Sequence, residues 1–552
     1  MWYFLKNGAR TIFNKTQDDI LSAAFVIGAS VVIAKLLSLI RYRLLAAYFG
    51  NQIELLDGYF ATTTLMDSVF DTFIFGSIAL AFIPVFSKYL EKEKVKQAWA
   101  LASTMITIGF IFFLFFAVVF FFFSDQVASI IAPGLVEKFP ATQTKISRLL
   151  QIMVLSQSIF VISIFISGVL NSFKRFVVPA LASIFYNIGI IISIIFLSPV
   201  FGIYSAAIGM IFGACLHFLI QLPLILSMDF RFRFNLNFKN SDVKEVLTLM
   251  WPRSITIGLS RLSAVVNVVL ASVSTVGGIV ALNFAQVLQI GPTALFASSL
   301  AQAAFVFLSL DANNNKSEQF KKLFIESFHQ ILFLVLPTAV ILAILRVPVV
   351  RLVFGAKDLP WDTTVLASRT LLAFSIGIAA ASLNLLLIRA FHALRDSYTP
   401  VKITVFTTAL NIILAVIFVF VLKLSIIYLA IASSIDSILA AVLMLYFLDR
   451  KIGGFDRKKL LLPTFKIVAI SLVTAFALYV PMKLLDQLVF DTTRVVGLLI
   501  LTSIASAVGL SVYIFLSWIF GVEQLVIFTK FAKRVATFPS RLKPPSPESI
   551  SA

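Results

Sequence analysis

Charged residues are scarce in this chain of 552 residues, of which 13% are charged and 60% hydrophobic, with a mean hydropathy of +1.01. Soluble domains contain about a quarter charged residues, so the composition excludes a chain built of soluble domains. Cysteine is almost absent, because Cys215 is the single one and lies in an apolar stretch. That scarcity excludes a disulfide framework, a clustered thiol metal site and a dithiol redox motif within the chain.

Long apolar runs are abundant. A helix needs about 20 apolar residues to cross a bilayer, and candidate spans 1 to 14 lie near residues 22–45, 59–86, 97–123, 149–170, 177–198, 202–227, 247–272, 279–308, 323–345, 366–390, 401–422, 424–447, 463–485 and 495–519. The sequence therefore predicts an all-α polytopic membrane protein with about 14 transmembrane helices.

The net charge of +19 arises from 45 basic and 26 acidic residues. When the loops are assigned to alternating sides of the membrane, thirty Lys and Arg share a side with both termini and ten lie opposite. Short loops rich in Lys and Arg stay in the cytoplasm, so both termini are predicted to be cytoplasmic. This orientation signal explains most of the charge and makes a nucleic-acid partner unnecessary. Five basic residues remain, within or at the ends of spans 1 and 7: Lys35, Arg41, Arg43, Arg253 and Arg261.

Two segments in different halves of the chain resemble each other. FKRFVVPALASIFYN (173–187) and LRDSYTPVKITVFTTALN (394–411) both place a basic turn before a proline, Pro179 in the first and Pro400 in the second. The two segments begin spans 5 and 11, and an offset of six spans preserves orientation. This favours two six-helix lobes related by a parallel pseudo-two-fold repeat, plus two extra C-terminal helices. The alternative is that two membrane helices share Pro and Asn by chance.

The predicted organisation has six parts. They are a cytoplasmic N-terminal segment (1–19), an N-lobe with spans 1 to 6 (20–227), a cytoplasmic linker (228–245), a C-lobe with spans 7 to 12 (246–448), spans 13 and 14 (449–520), and an interfacial helix with a disordered cytoplasmic tail (521–552). The last part combines apolar positions at helical spacing with basic residues on another face, as expected of a helix lying in the membrane interface.

Charged side chains inside spans cost about 2.5 to 3.5 kcal/mol each on insertion scales, so they usually face a cavity or a partner. They concentrate in spans 1, 2, 7 and 8, which predicts a central cavity in which Lys35, Arg41 and Arg261 bind an anionic headgroup. Alternatively, Arg41, Arg43 and Arg253 extend to the interfaces and Lys35 pairs with Asp67 or Asp71. The other predicted polar residues of the cavity are Asp67, Asp71, Asn283, Gln286 and Arg253.

Spans 11 and 12 contain two candidates for a coupling-ion site, Asn411 and Asp436. A structural, hydrogen-bonded acid is an equally good interpretation of Asp436. The three histidines lack the spacing of a metal or catalytic site, and the sequence contains no nucleophile elbow, phosphate loop or zinc signature. We therefore expect no catalytic residue, no metal and no cofactor.

Several stretches, in order over about residues 20–450, resemble the MurJ (MviN) family of the multidrug/oligosaccharidyl-lipid/polysaccharide (MOP) exporter superfamily. They read AKLLSLIRYRLLAAYFG, LDGYF, GSIALAFIPVFSKY, IIAPG, SGVLNSFKRFVVPALASIFYNIG, WPRSITIGLSRLSAVVNVVLAS and IRAFHALRDSYTPVKI. The chain is identified as a divergent member of that family.

The resemblance implies a flippase that moves lipid II, the undecaprenyl-diphosphate-linked muropeptide, from the cytoplasmic to the outer leaflet of the bacterial inner membrane without hydrolysing nucleotide. It further implies a cationic cavity between two lobes and a groove at spans 13 and 14 for the polyprenyl tail. By position, Lys35 and Arg41 match cavity arginines, and Asp57 matches the acid at the start of span 2, which adds Asp57 to the headgroup residues. Membrane lipids and cell-wall synthesis proteins would be the other partners.

This chain departs from the family pattern at two places. Where the family usually has an arginine before a Glu-Gly pair in span 2, this sequence has Phe70, Asp71 and Phe75 before Gly76. At the position in span 8 where the family usually has an Asp-Arg pair, this sequence has Gln286 and Val287. Two cationic contacts are thus missing, which suggests either that Arg261 compensates or that another lipid-linked glycan is carried.

Two alternative functions remain open at this stage. The first is a superfamily exporter of another lipid-linked oligosaccharide, or a drug or cation antiporter, for which Asp67, Asp71 and Asp436 would bind protons, sodium or a cationic substrate. A non-transporting membrane scaffold would recruit cell-wall synthesis enzymes. Membrane potential and a Na+ or H+ gradient are all candidate energy sources, since one charge crossing about 100 mV is worth about 2.3 kcal/mol.

Overall fold

The computed structural model describes residues 20–75, 81–237, 240–314, 316–488 and 494–526. The predicted segment 1–19 and most of the predicted interfacial helix and tail lie outside these ranges. Within the described ranges the regular secondary structure is helical throughout, with no strand. The prediction of an all-α protein is confirmed.

The first half of the chain forms nine α-helices in the described ranges. They are α1 (Ile20–Phe49), α2 (Ile53–Phe70), α3 (Ile83–Glu91), α4 (Val95–Phe122), α5 (Ser124–Ile131), α6 (Pro133–Lys138), α7 (Pro140–Ser172), α8 (Val177–Phe201) and α9 (Tyr204–Leu226). A 3-10 turn joins α1 to α2, and a π-helical turn, Asp71–Phe75, continues α2.

Ten further helices follow in the described ranges. They are α10 (Ser241–Ser274), α11 (Gly278–Pro292), α12 (Ser298–Asn313), α13 (Ser317–Ile344), α14 (Arg346–Phe354), α15 (Trp361–Ala393), α16 (Tyr398–Val416), α17 (Ile427–Lys451), α18 (Arg457–Leu488) and α19 (Val495–Ile519). π-helical turns connect α11 to α12 and end α16.

Twelve helical segments in the described part of the chain are long and apolar enough to cross a membrane. The predicted number of about 14 is therefore not confirmed by length and composition. The difference lies in predicted spans 1 and 2, which begin in α1 and α2 and are not among the twelve. Helix α1 carries Lys35, Arg41 and Arg43, although its 30 residues would extend about 45 Å, more than a bilayer core.

Corresponding helix ends in the two halves share one geometry, which supports the predicted repeat. Helices α7 and α15 are both followed by a basic residue in the left-handed region, Lys174 and Arg395, each with φ of 57°. In both turns the next amide donates to a carbonyl five residues back, Arg175 to Leu170 and Asp396 to Phe391. This pattern is a Schellman cap, and in both halves the proline of the next helix follows the left-handed residue at the same distance along the chain.

The ends of α8 and α16 repeat this correspondence. Gly202 and Lys423 both have φ of 52°, and their separation along the chain equals that of the two left-handed residues after α7 and α15. Glycine adopts this conformation without strain, whereas a lysine rarely does. The same φ at equivalent positions, despite the change of residue type, supports the repeat.

The chain divides into two compact units. The first comprises Met1–Ala285, Val353–Thr370 and Thr408–Ala432, and the second comprises Gln286–Leu352, Leu371–Thr407 and Ser433–Ala552. In the first unit α7 packs against α2, α4 and α9, and α8 packs against α1 and α9. In the second unit α18 packs against α13 and α19. The lobe boundaries predicted from the repeat divide the chain differently and stay a prediction.

Close helix contacts in the first unit depend on small residues. A Cβ added to Gly189 of α8 would lie 2.6 Å from the Cα of Gly213 in α9, so both positions need glycine. Contacts between small residues are the usual means by which membrane helices approach closely. This packing fixes α8, which carries one of the residues of the site described next.

Candidate functional site

Arg41 lies in the last third of α1 among aromatic side chains of the first unit. Its guanidinium carbon is 5.4 Å from the ring centroid of Tyr42, which stacks on Phe60 at 5.5 Å. Tyr59, Tyr186 and Asp67 all lie close enough to interact with the Arg41 charge. The Nε atom of Arg41 is buried and has no hydrogen-bond partner among the described residues. Arg41 is therefore held inside the unit and does not extend to an interface.

Lys35 lies six residues earlier in α1 and is exposed. Within the described ranges it forms no ion pair and no hydrogen bond. The alternative in which Lys35 pairs with an aspartate of span 2 is thus not the arrangement of this structure. Its ammonium group is available to a ligand.

Asp71 and Arg261 form an ion pair that connects the π-helical turn after α2 to α10. The carboxylate is less exposed than the guanidinium, with 23% and 44% of the side-chain surface accessible. Gly258 allows this approach, because a Cβ there would lie 3.1 Å from Thr72. The departure from the family pattern at Asp71 is thus accompanied by a cationic partner on another helix.

Asp67 lies one turn before Asp71 and is exposed. It accepts a hydrogen bond of 3.3 Å from Nε2 of Gln157 in α7. Arg41 and Arg261 both lie close enough to interact with its charge. Charges of opposite sign therefore meet in Arg41, Asp67, Asp71 and Arg261, which we call the charge cluster.

Asp57 is fully buried near the start of α2, at 0% exposure. Its carboxylate oxygens accept hydrogen bonds of 2.6 Å from the amide of Gly277 and 2.7 Å from that of Val280. Backbone amides at a helix N-terminus lack partners within the helix, and a carboxylate placed there satisfies them. Asp57 thus joins the start of α2 to the start of α11, and the structure brings neither Lys35 nor Arg41 to its carboxylate.

The remaining predicted residues lie in different environments. Asn283 is half-buried and donates to the Ile279 carbonyl, while Gln286 is exposed. Asn411, 2% exposed, accepts a hydrogen bond of 2.7 Å from Ser263, and its Nδ2 has no partner among the described residues. Asp436 is half-buried and hydrogen-bonds Thr407. The side chain of Arg253 lies outside the described residues.

Three residues of the site were missed by the sequence analysis, namely Tyr59, Gln157 and Tyr186. Gln157 could have been found, because a glutamine inside an apolar span meets the criterion applied to the charged residues. The two tyrosines carried no signal, since aromatic residues are common in membrane spans. Only packing places them beside Arg41.

A second buried polar network lies between α7 and α9. Nδ1 of His217 lies 2.6 Å from the Ser163 hydroxyl, and Nε2 of Gln221 donates to that hydroxyl at 2.9 Å. Ser167 donates to Oε1 of Gln221 at 2.8 Å. These contacts satisfy the polar groups locally, so we assign the network a structural role.

A comparison with protein families decides the identity of the chain. The family described as lipid II flippase MurJ matches residues 45–504. The chain belongs to the MurJ lipid II flippase family. It is therefore a member of a family of multi-pass membrane transporters, and the resemblance noted from the sequence is confirmed.

Relatives and solved structures agree with membership of the MurJ family. A probable lipid II flippase MurJ of Buchnera aphidicola subsp. Acyrthosiphon pisum is 26% identical over 93% of this chain and 99% of its own length. A probable lipid II flippase MurJ of Thermotoga maritima is 27% identical over 77% of this chain and 84% of its own length. A solved structure of lipid II flippase MurJ in an inward closed conformation matches with a TM-score of 0.74 and 26% identity, covering 90% of this chain and 98% of that one.

A solved structure with much lower sequence identity also shares the fold. An inward-facing multidrug resistance MATE transporter of the MOP superfamily matches with a TM-score of 0.62 over 78% of this chain and 98% of its own. At 13% identity this likeness shows the fold alone. The chain and that transporter therefore share a fold.

Proposed function

We propose that this protein moves lipid II from the cytoplasmic to the outer leaflet of the bacterial inner membrane by alternating access. The observation that carries the proposal is the family match over residues 45–504, which includes three of the four residues of the charge cluster. The energy would come from an ion gradient or the membrane potential and not from nucleotide hydrolysis. Both termini would lie in the cytoplasm, as the distribution of basic residues between loops favours.

Lys35, Arg41 and Arg261 would bind the diphosphate headgroup. Ammonium and guanidinium groups form strong, charge-assisted hydrogen bonds with phosphate oxygens. Lys35 is exposed and has no ion partner among the described residues, and the Nε of Arg41 has no acceptor there, which supports this assignment. Asp57 would act indirectly, by holding the starts of α2 and α11 together.

Arg261 would compensate for the cation that this chain lacks in span 2. Asp71 accepts hydrogen bonds from only some of the five N–H groups of the Arg261 guanidinium. The other N–H groups are available to a phosphate. Asp67, Asn283, Gln286 and Arg253 would complete the polar lining of the cavity. Spans 13 and 14, now α18 and α19, would accommodate the polyprenyl tail.

Asn411 and Asp436 stay candidates for coupling-ion ligands. The Nδ2 of Asn411 lacks a partner, so its hydrogen bonding is incomplete among the described residues. The fold shared with MATE transporters is consistent with ion-coupled transport. Cell-wall synthesis proteins would be partners at the point of delivery.

A cation or drug antiporter is the second candidate function. The observation that favours it is the pair of aspartates, Asp67 and Asp71, accessible within the first unit. An antiporter of this kind would bind organic cations with an affinity lost on Asp71→Asn. Absence of such binding would reject this candidate.

Depletion of the protein in its host tests the flippase proposal directly. We expect lipid II to accumulate in the cytoplasmic leaflet and cell shape to fail, and an unchanged lipid II distribution with a normal wall would overturn the proposal. Complementation with Lys35→Ala, Arg41→Ala or Arg261→Ala should fail although each protein reaches the membrane. Lys138→Ala, which removes an exposed cation outside the cluster, is the control and should complement.

A further inference from the structure

Asp67 lies deep in the membrane-embedded part of the first unit. It is the fifteenth residue of α2, about 21 Å along the helix and inside predicted span 2. Its side chain is nevertheless exposed, and we expect cavity water to reach the carboxylate. Six titratable or charged groups surround it: Arg41 and Tyr42 of α1, Tyr59 of α2, Asp71 after α2, Tyr186 of α8 and Arg261 of α10.

The side-chain amide of Gln157 provides an independent observation. Gln157 is 3% exposed, its Nε2 donates to Oδ1 of Asp67 at 3.3 Å, and its Oε1 is buried without a partner among the described residues. A buried acceptor without a donor is uncommon and calls for an explanation. Half a turn of the Gln157 amide would therefore break no hydrogen bond of Oε1.

A side-chain amide can hydrogen-bond to a carboxyl group whether that carboxyl group is ionised or protonated. When Asp67 is ionised, the Gln157 N–H donates to the carboxylate, which is the arrangement described. When Asp67 is protonated, rotation of the amide by half a turn places Oε1 where the O–H of Asp67 can donate to it. The same two side chains can therefore hydrogen-bond to each other before and after proton uptake.

Protonation changes the charge that a substrate meets. The charge cluster contains two cations and two anions, Arg41, Asp67, Asp71 and Arg261, and is neutral as long as both aspartates are ionised. A proton on Asp67 leaves a net charge of +1 in the unit that also carries the exposed Lys35. A diphosphate should then bind more tightly, and by linkage its binding should raise the affinity for the proton.

We propose that Asp67 is a proton-binding site, with Gln157 as its two-state partner, that couples lipid-diphosphate binding to proton uptake. One proton passes from cavity water to the Asp67 carboxylate, and no other bond forms or breaks. This inference rests on the proposed function, because the ligand whose affinity changes is the headgroup of lipid II. It gives Asp67 a role in the lipid II flippase, whereas a proton on Asp67 was considered above only for an antiporter.

Calorimetric titration of the full-length protein in detergent with a short-chain lipid II analogue tests the inference. The diphosphate of this analogue is a diester, so its own charge is constant near neutral pH. Measurement in buffers of different ionisation enthalpy should show net proton uptake by the wild-type protein. Its affinity should fall by up to about tenfold per pH unit as Asp67 loses its proton.

Two variants test which carboxylate of the charge cluster takes up the proton. Asp67→Asn mimics the protonated side chain, so it should bind tightly at every pH without proton uptake. Asp71→Asn removes the other carboxylate of the cluster and should keep the pH dependence. Wild-type binding without proton uptake, or unchanged pH dependence in Asp67→Asn, would overturn the inference.

Infrared difference spectroscopy separates this inference from the flippase proposal. Acidification of the protein without lipid should produce a carboxylic C=O band that is absent from Asp67→Asn and shifted in Gln157→Leu. A protein that showed this band but bound no lipid II analogue would refute the proposed function and leave the proton site supported. A protein that bound the analogue without the band would refute the proton site alone.

Discussion

Asp57 connects two helices that begin far apart in the chain, α2 at Ile53 and α11 at Gly278. Its two carboxylate oxygens accept backbone amides in a fully buried position. A buried amide left without its acceptor loses the full value of the hydrogen bond and cannot recover it from water. The contribution of Asp57 is therefore to stability first and to the position of the cavity helices through it.

Asp57→Ala should lower the free energy of unfolding by about 2 to 3 kcal/mol, because it removes a helix cap made of charge-assisted hydrogen bonds. Thermal unfolding in detergent measures this loss. Glu54→Ala, in the first turn of the same helix and half-buried, is the matched control. Equal midpoints for the two variants would contradict the capping role.

Arg261 has two separable roles, as the partner of Asp71 and as a proposed headgroup ligand. If it only neutralised Asp71, removal of both charges would restore function. We expect instead that Asp71→Asn transports, and that Arg261→Ala stays inactive alone and combined with Asp71→Asn. The loss of one charge-assisted phosphate contact should weaken lipid binding by about 10- to 100-fold. Binding assays on the three variants measure this, and recovery in the double variant would show that Arg261 acts only through Asp71.

At the scale of single residues, the sequence identified which side chains are unusual but not what they contact. Arg41, Asp71 and Arg261 are visible as charges in apolar spans. The pairing of Asp71 with Arg261 spans 190 positions of the chain and depends on the close approach of α10 at Gly258. No periodicity in either helix contains that information.

Helices α1 and α2 contain charged residues that the proposed site needs but that are costly to insert into a membrane. Helix α1 carries Lys35, Arg41 and Arg43, and α2 carries Glu54, Asp57 and Asp67. Their neighbours α7 and α8 compensate by surrounding them, since α1 packs on α8 and α2 packs on α7. Charged helices of this kind are stable in a membrane only when other helices cover them.

The π-helical turn at Asp71 is a second feature of an element that sequence reasoning did not reach. Hydroxyl groups of α2 and of this turn bond the carbonyl four residues earlier, as Thr64 does with Phe60 at 2.8 Å and Thr72 with Ser68 at 2.6 Å. Such bonds bend helices, and π turns occur often at functional sites. The turn begins at the residue that pairs with Arg261.

The turn between α15 and α16 allows a test of helix capping. Asp396 accepts the amides of Tyr398 and Thr399 at 3.1 and 3.0 Å and the Lys451 ammonium at 2.5 Å. Burial would raise the pKa of Asp396, but the hydrogen bonds from Lys451 and Thr399 outweigh it and lower the pKa to about 2. Since an unfolded aspartate has a pKa of about 3.9, this carboxylate stabilises the fold above about pH 4, and the effect is lost as the pH falls through 2.

Asp396→Ala should therefore destabilise the protein by about 1 kcal/mol at neutral pH, the usual value of an N-cap, and by less at pH 2. Unfolding measured at the two pH values checks the sign. Glu91→Gln, an exposed acid at the end of α3, should change neither value. A loss that grew on acidification would contradict the assignment.

The whole molecule combines two structurally related halves with one cluster of charges in the first compact unit. The matching left-handed turns, Lys174 with Arg395 and Gly202 with Lys423, show the relation in backbone geometry where side chains have diverged. The charge cluster lies in the first compact unit and draws its residues from both halves, since Arg261 belongs to α10. Alternating access is the transport mechanism expected of such a repeat.

Cysteine labelling tests alternating access in the intact protein. In a Cys215→Ser background, Ser38→Cys and Thr64→Cys place single thiols near Lys35 and Asp67. Hydrophilic reagents should reach both thiols from either side of the membrane, with proportions that change when lipid II analogue is added. Phe196→Cys, on the outward surface of α8 with 71% exposure, is the lipid-facing control and should not react. Labelling from one side only would contradict alternating access.

The sequence by itself determined that this chain crosses a membrane many times, that it resembles the MurJ family and which helices carry charge. The membrane spans and their charges follow from composition summed over short windows of a single helix, in which each residue contributes independently of its partners. The tertiary structure decided that Asp71 neutralises Arg261, that Asp57 caps α11 and that Gln157 contacts Asp67. These contacts join residues 90 to 223 positions apart, so they depend on how the helices pack and not on any local pattern.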